Sequence, residues 1–293
     1  MMSDPKFTPV LFLASLAARW LPVSVKRLFY RSPVIAQTIR RLLNRAAPRG
    51  LTPVKVAGGP LAGMTLILDL QSEKDYWLGT YEPELVAAVA ELVQPGDVVY
   101  DLGANIGYIS LLLAQTVGEG GRVFAFEALP ANLERLRANL SLNRLGERVQ
   151  VVAGAVGNST SLVPFLIGPS GGTGKAHGSA GRQELTYRET IFVPGIVLDD
   201  FVYVTGNPPP QVVKMDIEGG EVLALPGMRR LLAEARPLLL LELHGQQSAN
   251  LAWELLVSSG YRLCRMTPGY PSVSAPLASL DWKSYLVGKP SER

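Results

Sequence analysis

A single cysteine, Cys264, leaves no partner for an intrachain disulfide and gives no sign of an oxidising compartment, so a cytoplasmic location is the expectation. Histidine is nearly as scarce, with only His177 and His244 in the chain. No apolar run reaches the ~20 residues needed to span a bilayer, because the longest early stretch, Val10 to Leu21, is broken by Arg19. Acidic residues are almost missing from positions 1–50, where Asp4 stands alone against Lys6, Arg19, Lys26, Arg27, Arg31, Arg40, Arg41, Arg45 and Arg49. That arm carries a formal charge of +8, against −5 for the remaining 243 residues. Internal repeats and extended low-complexity tracts are absent.

What is present is enough apolar material, 47% of 293 residues, to bury a sizeable core. Within the arm, Ile35, Ile39, Leu42 and Leu43 recur at helical spacing while Arg40, Arg41, Asn44 and Arg45 fall opposite, which predicts a basic amphipathic helix. Such a helix packs on the body of the protein or makes peripheral contact with a membrane through residues 1–50. A nucleic-acid partner is not expected. After Pro48-Arg49-Gly50 the pattern changes to short apolar runs punctuated by glycine and proline, so an α/β body is expected over 51–293. It opens with a small hairpin within 51–72, from segments 54–56 and 64–70, and Pro83 begins a helix reaching Val93. From Val98 onward buried strands (98–102, 122–127, 149–155, 211–217, 237–243, 261–267 and 284–288) alternate with helices near 106–116, 130–143, 219–234 and 246–259, with a short one at 195–203. The expected fold is a Rossmann-like α/β class, a seven-stranded, mostly parallel sheet with helices on both faces and an N-terminal helical extension. An insertion at about 158–195 holds two strands, Ser161–Ile167 and Leu185–Val193, around the six-glycine segment Gly168–Arg182, expected to be a loop or lid.

The most informative segment is Asp101-Leu-Gly103-Ala-Asn105-Ile106-Gly107, where a strand runs into a glycine turn and then a helix. Glycines there let the chain bend and approach a ligand closely, and the helix offers its N-terminal dipole. A nicotinamide site would show Gly-x-Gly-x-x-Gly, and the Gly-x-Gly pair is missing. Asp101 at the turn would repel a pyrophosphate but suit the ammonium and sulfonium of S-adenosylmethionine. Glu127 ends the second strand, 20 residues beyond Gly107, where an acid grips both ribose hydroxyls. Ala155 and its neighbours through Asn158 are placed against the adenine. Strand four brings Lys214 and Asp216 to one face, and strand five brings Glu242 and His244 to the same rim, so that Asp216, Glu218, Glu221, Glu242 and His244 are expected to converge. His244 is the first candidate for general base and Asp216 the second. The alternative has Asp216 and Glu242 holding Mg²⁺. His177, in the insertion, is expected to be solvated. Asn207-Pro-Pro-Pro210 precedes strand four and lacks the aromatic of an amide-holding Asn-Pro-Pro motif, so it is read as a linker.

In order along the chain, Asp101–Gly107, Phe126-Glu127 with Pro130 and Asn132, Leu198-Asp199, Lys214-Met-Asp216-Ile-Glu218-Gly-Gly-Glu221 and Glu242-Leu-His244 resemble the FkbM-type family of S-adenosylmethionine-dependent methyltransferases, across roughly residues 75–245. Ala128 departs from the family's usual proline after the ribose acid. Tyr76 to Glu82 looks like the segment that folds over the cofactor. The resemblance implies cofactor contacts at Tyr81, Glu82, Asp101, Gly103, Asn105, Ile106, Gly107, Glu127, Ala128, Ala155 and Asp216, and catalytic work for His244, Asp216, Lys214 and Glu242. It also implies methylation of a hydroxyl, often on a sugar, polyketide or other natural product, without naming the small-molecule or carbohydrate acceptor; the charge of the basic arm adds a glycolipid to the expected acceptors.

Overall fold

The computed structural model describes residues 9–20, 33–169, 172–181, 184, 186–275 and 283–291. Lys6, Lys26, Arg27 and Arg31 of the basic arm, and Arg182 of the insertion, lie outside them. The chain divides into two compact units, Met1–Pro83 and Glu84–Arg293. No helix among the described residues is long and apolar enough to cross a membrane.

The first unit contains helices α1 (Pro9–Trp20) and α2 (Pro33–Ala46), the antiparallel hairpin β1 (Leu51–Lys55) and β2 (Thr65–Asp69), and a short helix α3 (Lys74–Leu78). Its apolar interior is built from Leu11, Leu43, Val54, Leu66, Leu68 and Trp77, all buried. The Gln71 side chain donates to the carbonyls of Asn44 and Ala47, which ties α2 to the hairpin. Leu43 is buried on α2 as its spacing predicts, whereas Leu42 is half exposed, and α1 leaves Phe12, Leu13, Leu16 and Trp20 in solvent.

Helix α4 (Pro83–Leu92) leads into the second unit, with proline at the first helical position where its missing N–H costs nothing. Continuous runs such as Val98-Val-Tyr and Arg122-Val-Phe-Ala-Phe then give β3 (Val98–Leu102) and β4 (Arg122–Glu127), buried on both faces as parallel strands must be. Between and after them come α5 (Tyr108–Val117) and α6 (Pro130–Leu142), followed by β5 (Val149–Ala153). The insertion carries β6 (Ala155–Val156), β7 (Leu162–Ile167), β8 (Gly174–Ala176) and β9 (Glu189–Ile196), and α7 (Leu198–Tyr203) closes it. The remaining elements are β10 (Val212–Met215), α8 (Glu221–Ala224), α9 (Arg229–Glu234), β11 (Leu238–His244), α10 (Gly245–Ser258), β12 (Tyr261–Arg265) and β13 (Lys283–Pro290).

Seven strands form one sheet in the order β12-β13-β11-β10-β3-β4-β5, parallel except for β13, which runs antiparallel to both neighbours. The sheet has a Rossmann-like α/β architecture. Chain order reverses between β3 and β10, and the crevice outside their carboxyl ends is where such sheets bind ligands. Under one face Tyr100, Phe124, Phe126 and Phe201 pack with ring centroids 5.2–5.7 Å apart, edge-on or tilted. Such pairs contribute about 0.5–1.5 kcal/mol each beyond their burial and hold the strands that end at the crevice.

Two local expectations are corrected. The single helix expected over 219–234 is α8, a 3₁₀ turn (Leu225–Met228) and α9, because Pro226 lacks the N–H that a continuous helix needs. The insertion is not two strands around an open loop. It forms a four-stranded sheet, β6-β9-β7-β8, in which Gly174–Ala176 adds an unforeseen strand.

Candidate active site

The glycine turn is set by how closely it approaches the chain after β10. At Gly103, φ is +80° and a Cβ would lie 1.9 Å from the Asp216 carbonyl oxygen, so only glycine fits. The N–H groups of Gly103 and Ala104 both donate to Phe126 O, at 3.0 and 2.9 Å, which locks the turn to β4. Asn105 takes a left-handed conformation (φ +50°) that its short polar side chain tolerates. Ile106 is buried, and its carbonyl accepts from the Asn139 side chain at 2.8 Å. Gly107 then starts α5.

Glu127 faces this turn with its carboxylate held by backbone. Oε2 accepts from Asn105 N at 2.8 Å, and Oε1 from Ala128 N and Leu129 N at 2.9 and 2.7 Å. Burial pushes the carboxyl upward, against these N–H donors and the Asn132 side chain, which favour the charged form. The backbone thus fixes the carboxylate's orientation beside the glycine turn.

Asp101 and Lys214 differ from their expected roles. Adjacent strand register brings them side by side, with Lys214 Nζ 3.0 Å from Asp101 Oδ1 and both side chains buried. Ser110 Oγ donates to Asp101 Oδ2 at 2.6 Å, and Lys214 Nζ also donates to Gly103 O at 3.0 Å. Their charges are therefore spent beneath the turn, bracing its backbone. Both Asp101 oxygens are engaged among the described residues, while Lys214, paired with Asp101, also acts on the rim by pulling Asp216 downward.

The rim itself gathers around His244, the last residue of β11 and the N-cap of α10. Its Nδ1 donates to Glu221 Oε1 at 3.1 Å, and Glu221 is fixed from behind by Ser248 Oγ at 2.8 Å. Nε2 lies 3.2 Å from Glu242 Oε1, 3.8 Å from Asp216 Oδ1 and 3.9 Å from Glu218 Oε2. Lys283 Nζ sits 2.8 Å from Glu242 Oε1, delivered by the β11–β13 register that pairs it with His244. Burial works against the charge of His244, but hydrogen bonds to Glu221 and Glu242 prevail and raise it to about 10. Burial likewise disfavours the Glu242 carboxylate, yet the bonds from His244 and Lys283 bring it down to about 2. Burial pushes Asp216 up to about 7, with Lys214 pulling downward and Glu242 adding to the rise. The His244 side chain is 1% exposed and that of Asp216 is 18% exposed, so Asp216 is the reachable member of the pair. Asp216, Glu242 and His244 each offer one ligand atom within 4.8 Å of the others.

The insertion is docked on this rim. Ala180 N donates to Gly219 O at 2.8 Å, and at Gly219 (φ +92°) a Cβ would fall 1.9 Å from Gly181 N. Glu218 beside it has φ +54°, an uncommon conformation for a residue with a side chain and typical of functional loops. Ala155 is buried in β6 and pairs with Gly195, and His177 is exposed, as expected. Tyr81 and Glu82 belong to the first unit, where the Tyr76 and Tyr81 rings stack 4.3 Å apart. Sequence reasoning missed Ser248 and Lys283. Ser248 lies one helical turn after His244, a spacing that could have revealed it. The role of Lys283 depends on the antiparallel pairing of β11 and β13, which no local pattern discloses. Leu198-Asp199 also gains an account: the Asp199 carboxylate accepts from Arg230 N and Leu231 N at 2.9 and 2.8 Å, capping α9.

Residues 101–263 match the Methyltransferase FkbM domain. Among characterised proteins, the hexuronic acid methyltransferase AglP of Haloferax volcanii is 26% identical over 56% of this chain and 62% of its own length. The 31-O-demethyl-FK506 methyltransferase FkbM of Streptomyces tacrolimicus is 44% identical over 21% of this chain and 23% of its own. A protein-L-isoaspartate O-methyltransferase of Aeropyrum pernix is 43% identical over 25% of this chain and 28% of its own. The matched stretches thus span less than two thirds of these relatives. The solved methyltransferase FkbM of Methylobacillus flagellatus superposes with a TM-score of 0.43 at 20% identity, covering 75% of this chain and 53% of that one. With the FkbM domain covering more than half of its residues, the chain belongs to the FkbM family of S-adenosylmethionine-dependent methyltransferases.

Proposed function

We propose that the enzyme methylates a hydroxyl oxygen, on a sugar or a comparable polyhydroxylated small molecule, with Asp216 receiving the hydroxyl proton. The observation that carries this reading is the partly exposed Asp216 carboxylate at the switch point of the sheet, beside a buried carboxylate–imidazole cluster. S-adenosylmethionine, when bound, supplies a methyl group activated by its sulfonium. The glycine turn and Glu127 hold the nucleoside, Ala128 and Ala155 border it, and Asp101 with Lys214 keeps the turn in shape. Asp216 would take the acceptor O–H proton as the oxygen accepts the methyl group that the bound cofactor supplies. The products are a methyl ether and S-adenosylhomocysteine. His244 was the first candidate for base. Buried behind three carboxylates, it is out of an acceptor's reach and is instead proposed to orient Glu242 and Asp216. A base must touch the proton it takes, which favours the exposed acid.

The relatives agree with oxygen methylation: one is named for a hexuronic acid and another for a 31-O-demethyl macrolide. The chain also has Asp216-Ile-Glu218-Gly, not an amide-holding Asn-Pro-Pro-aromatic, after its fourth strand. Asn207–Pro210 lies before that strand, where Pro208 O accepts from Tyr100. The test is turnover with a panel of uronic acids, neutral sugars and polyols. Methylation of an amine in preference to every hydroxyl would contradict the reading. A second proposal concerns the arm: α1 exposes Phe12, Leu13, Leu16 and Trp20, an apolar strip in the most basic part of the chain, suited to peripheral contact with an anionic membrane and hence to a glycolipid acceptor.

A further inference from the structure

The rim acids have more negative charge than the fixed cations beside them answer. Asp216, Glu218, Glu221 and Glu242 all lie within 3.9 Å of one imidazole, with Lys283 the ammonium in contact. Lys214 pairs with Asp101 and also acts on Asp216, which still leaves four rim carboxylates beside two ammonium groups. Glu242 is 5% exposed; Lys283 and His244 sit on its Oε1, while Oε2 is buried and makes no hydrogen bond among the described residues. A buried carboxylate oxygen left without a donor is costly unless something with positive charge reaches it.

His244 is oriented as metal-binding histidines are. Its Nδ1 is engaged by the Glu221 carboxylate at 3.1 Å, and that carboxylate is itself held by Ser248. This arrangement fixes the ring and directs Nε2 towards Glu242, Asp216 and Glu218. A single Nε2 proton serves one of these acceptors, whereas a cation there would serve several.

We infer that Asp216, Glu242 and His244 form a binding site for one divalent transition-metal ion. Their ligand atoms lie within 4.8 Å of one another, close enough to converge on one ion with small side-chain adjustments. Two carboxylates and an imidazole suit Mn²⁺, Fe²⁺ or Zn²⁺ better than Mg²⁺, which prefers an all-oxygen set. The site therefore differs in chemistry from a magnesium held by Asp216 and Glu242 alone. Its role rests on the hydroxyl-methylation reading: an ion beside Asp216 would make the acceptor hydroxyl easier to deprotonate. Its existence does not rest on that reading.

The experiment is a titration of Mn²⁺ into the chelator-treated full-length protein, followed by the loss of the free-ion paramagnetic resonance signal, without acceptor. Calorimetric S-adenosylmethionine binding on the same samples reports folding. The expected result is one Mn²⁺ per chain, weakened about tenfold or more in Glu242→Gln and in Asp216→Asn. Glu221→Gln, which removes the support behind His244 without removing a ligand, is expected to weaken it by a similar factor. Millimolar Mg²⁺ should not displace the ion. An undiminished free signal with wild-type protein that still binds S-adenosylmethionine would overturn the inference. So would Mn²⁺ binding left unchanged in both Glu242→Gln and Asp216→Asn. Mn²⁺ bound at these residues supports the site even where no hydroxyl acceptor is turned over, which separates its fate from that of the proposed reaction.

Discussion

Glu127 and Lys214 show how differently two charged residues at one crevice are used. Three backbone N–H groups fix the Glu127 carboxylate beside the glycine turn, where it is proposed to hold the nucleoside. Glu127→Gln should therefore lower S-adenosylmethionine affinity by about 10–100-fold in calorimetry, the worth of one charge-assisted hydrogen bond. Lys214 is buried against Asp101, and Lys214→Met would leave that buried carboxylate without its ammonium partner. The expected loss is about 3–5 kcal/mol in denaturant unfolding, with part recovered in the double variant Lys214→Met, Asp101→Asn. An unchanged midpoint would show that the pair does not brace the turn. From sequence alone, Lys214 read as a rim residue because alternation gives the strand face but not the direction in which a long side chain turns. Its partner across the β3–β10 register shows that direction.

At the scale of elements, strands were the most legible. Val98–Leu102 and Arg122–Glu127 fall where the continuous apolar runs place them, since a strand buried on both faces leaves little ambiguity. Elements held by long-range contact were not legible. Gly174–Ala176 has no periodicity of its own and is a strand only because β7 lies beside it. The insertion's docking on the rim is likewise a matter of backbone meeting backbone at Ala180 and Gly219. Gly219→Ala places a Cβ against Gly181 N in a left-handed conformation. It should raise the acceptor KM severalfold while S-adenosylmethionine affinity stays within twofold, because the glycine turn and Glu127 are untouched. Equal weakening of both ligands would mean that the insertion does not serve the acceptor.

For the whole molecule, the motif order from Asp101 to His244 led to the family, and the seven-stranded sheet explains much of it: the motifs around Asp101, Glu127, Asp216 and His244 lie at the carboxyl ends of its strands or in the turns that follow. The convergence of Asp216, Glu218, Glu221 and Glu242 on His244 was legible for that reason, whereas Lys283 arrives from the last strand and was not. The arm's proposed role belongs to this scale too. The full-length protein should co-sediment with anionic vesicles and not with neutral ones, and the double variant Phe12→Ser, Leu16→Ser should release most of it. Equal sedimentation of variant and wild type would remove α1 from the contact.

The central claim is tested by supplying S-adenosylmethionine labelled with carbon-13 at its methyl group and reading the product by nuclear magnetic resonance. The account predicts a methoxy carbon on a hydroxylated acceptor, formed at least ~10²-fold more slowly by Asp216→Asn with unchanged cofactor affinity. A labelled N-methyl or C-methyl carbon, or an Asp216→Asn enzyme as fast as wild type, would contradict it.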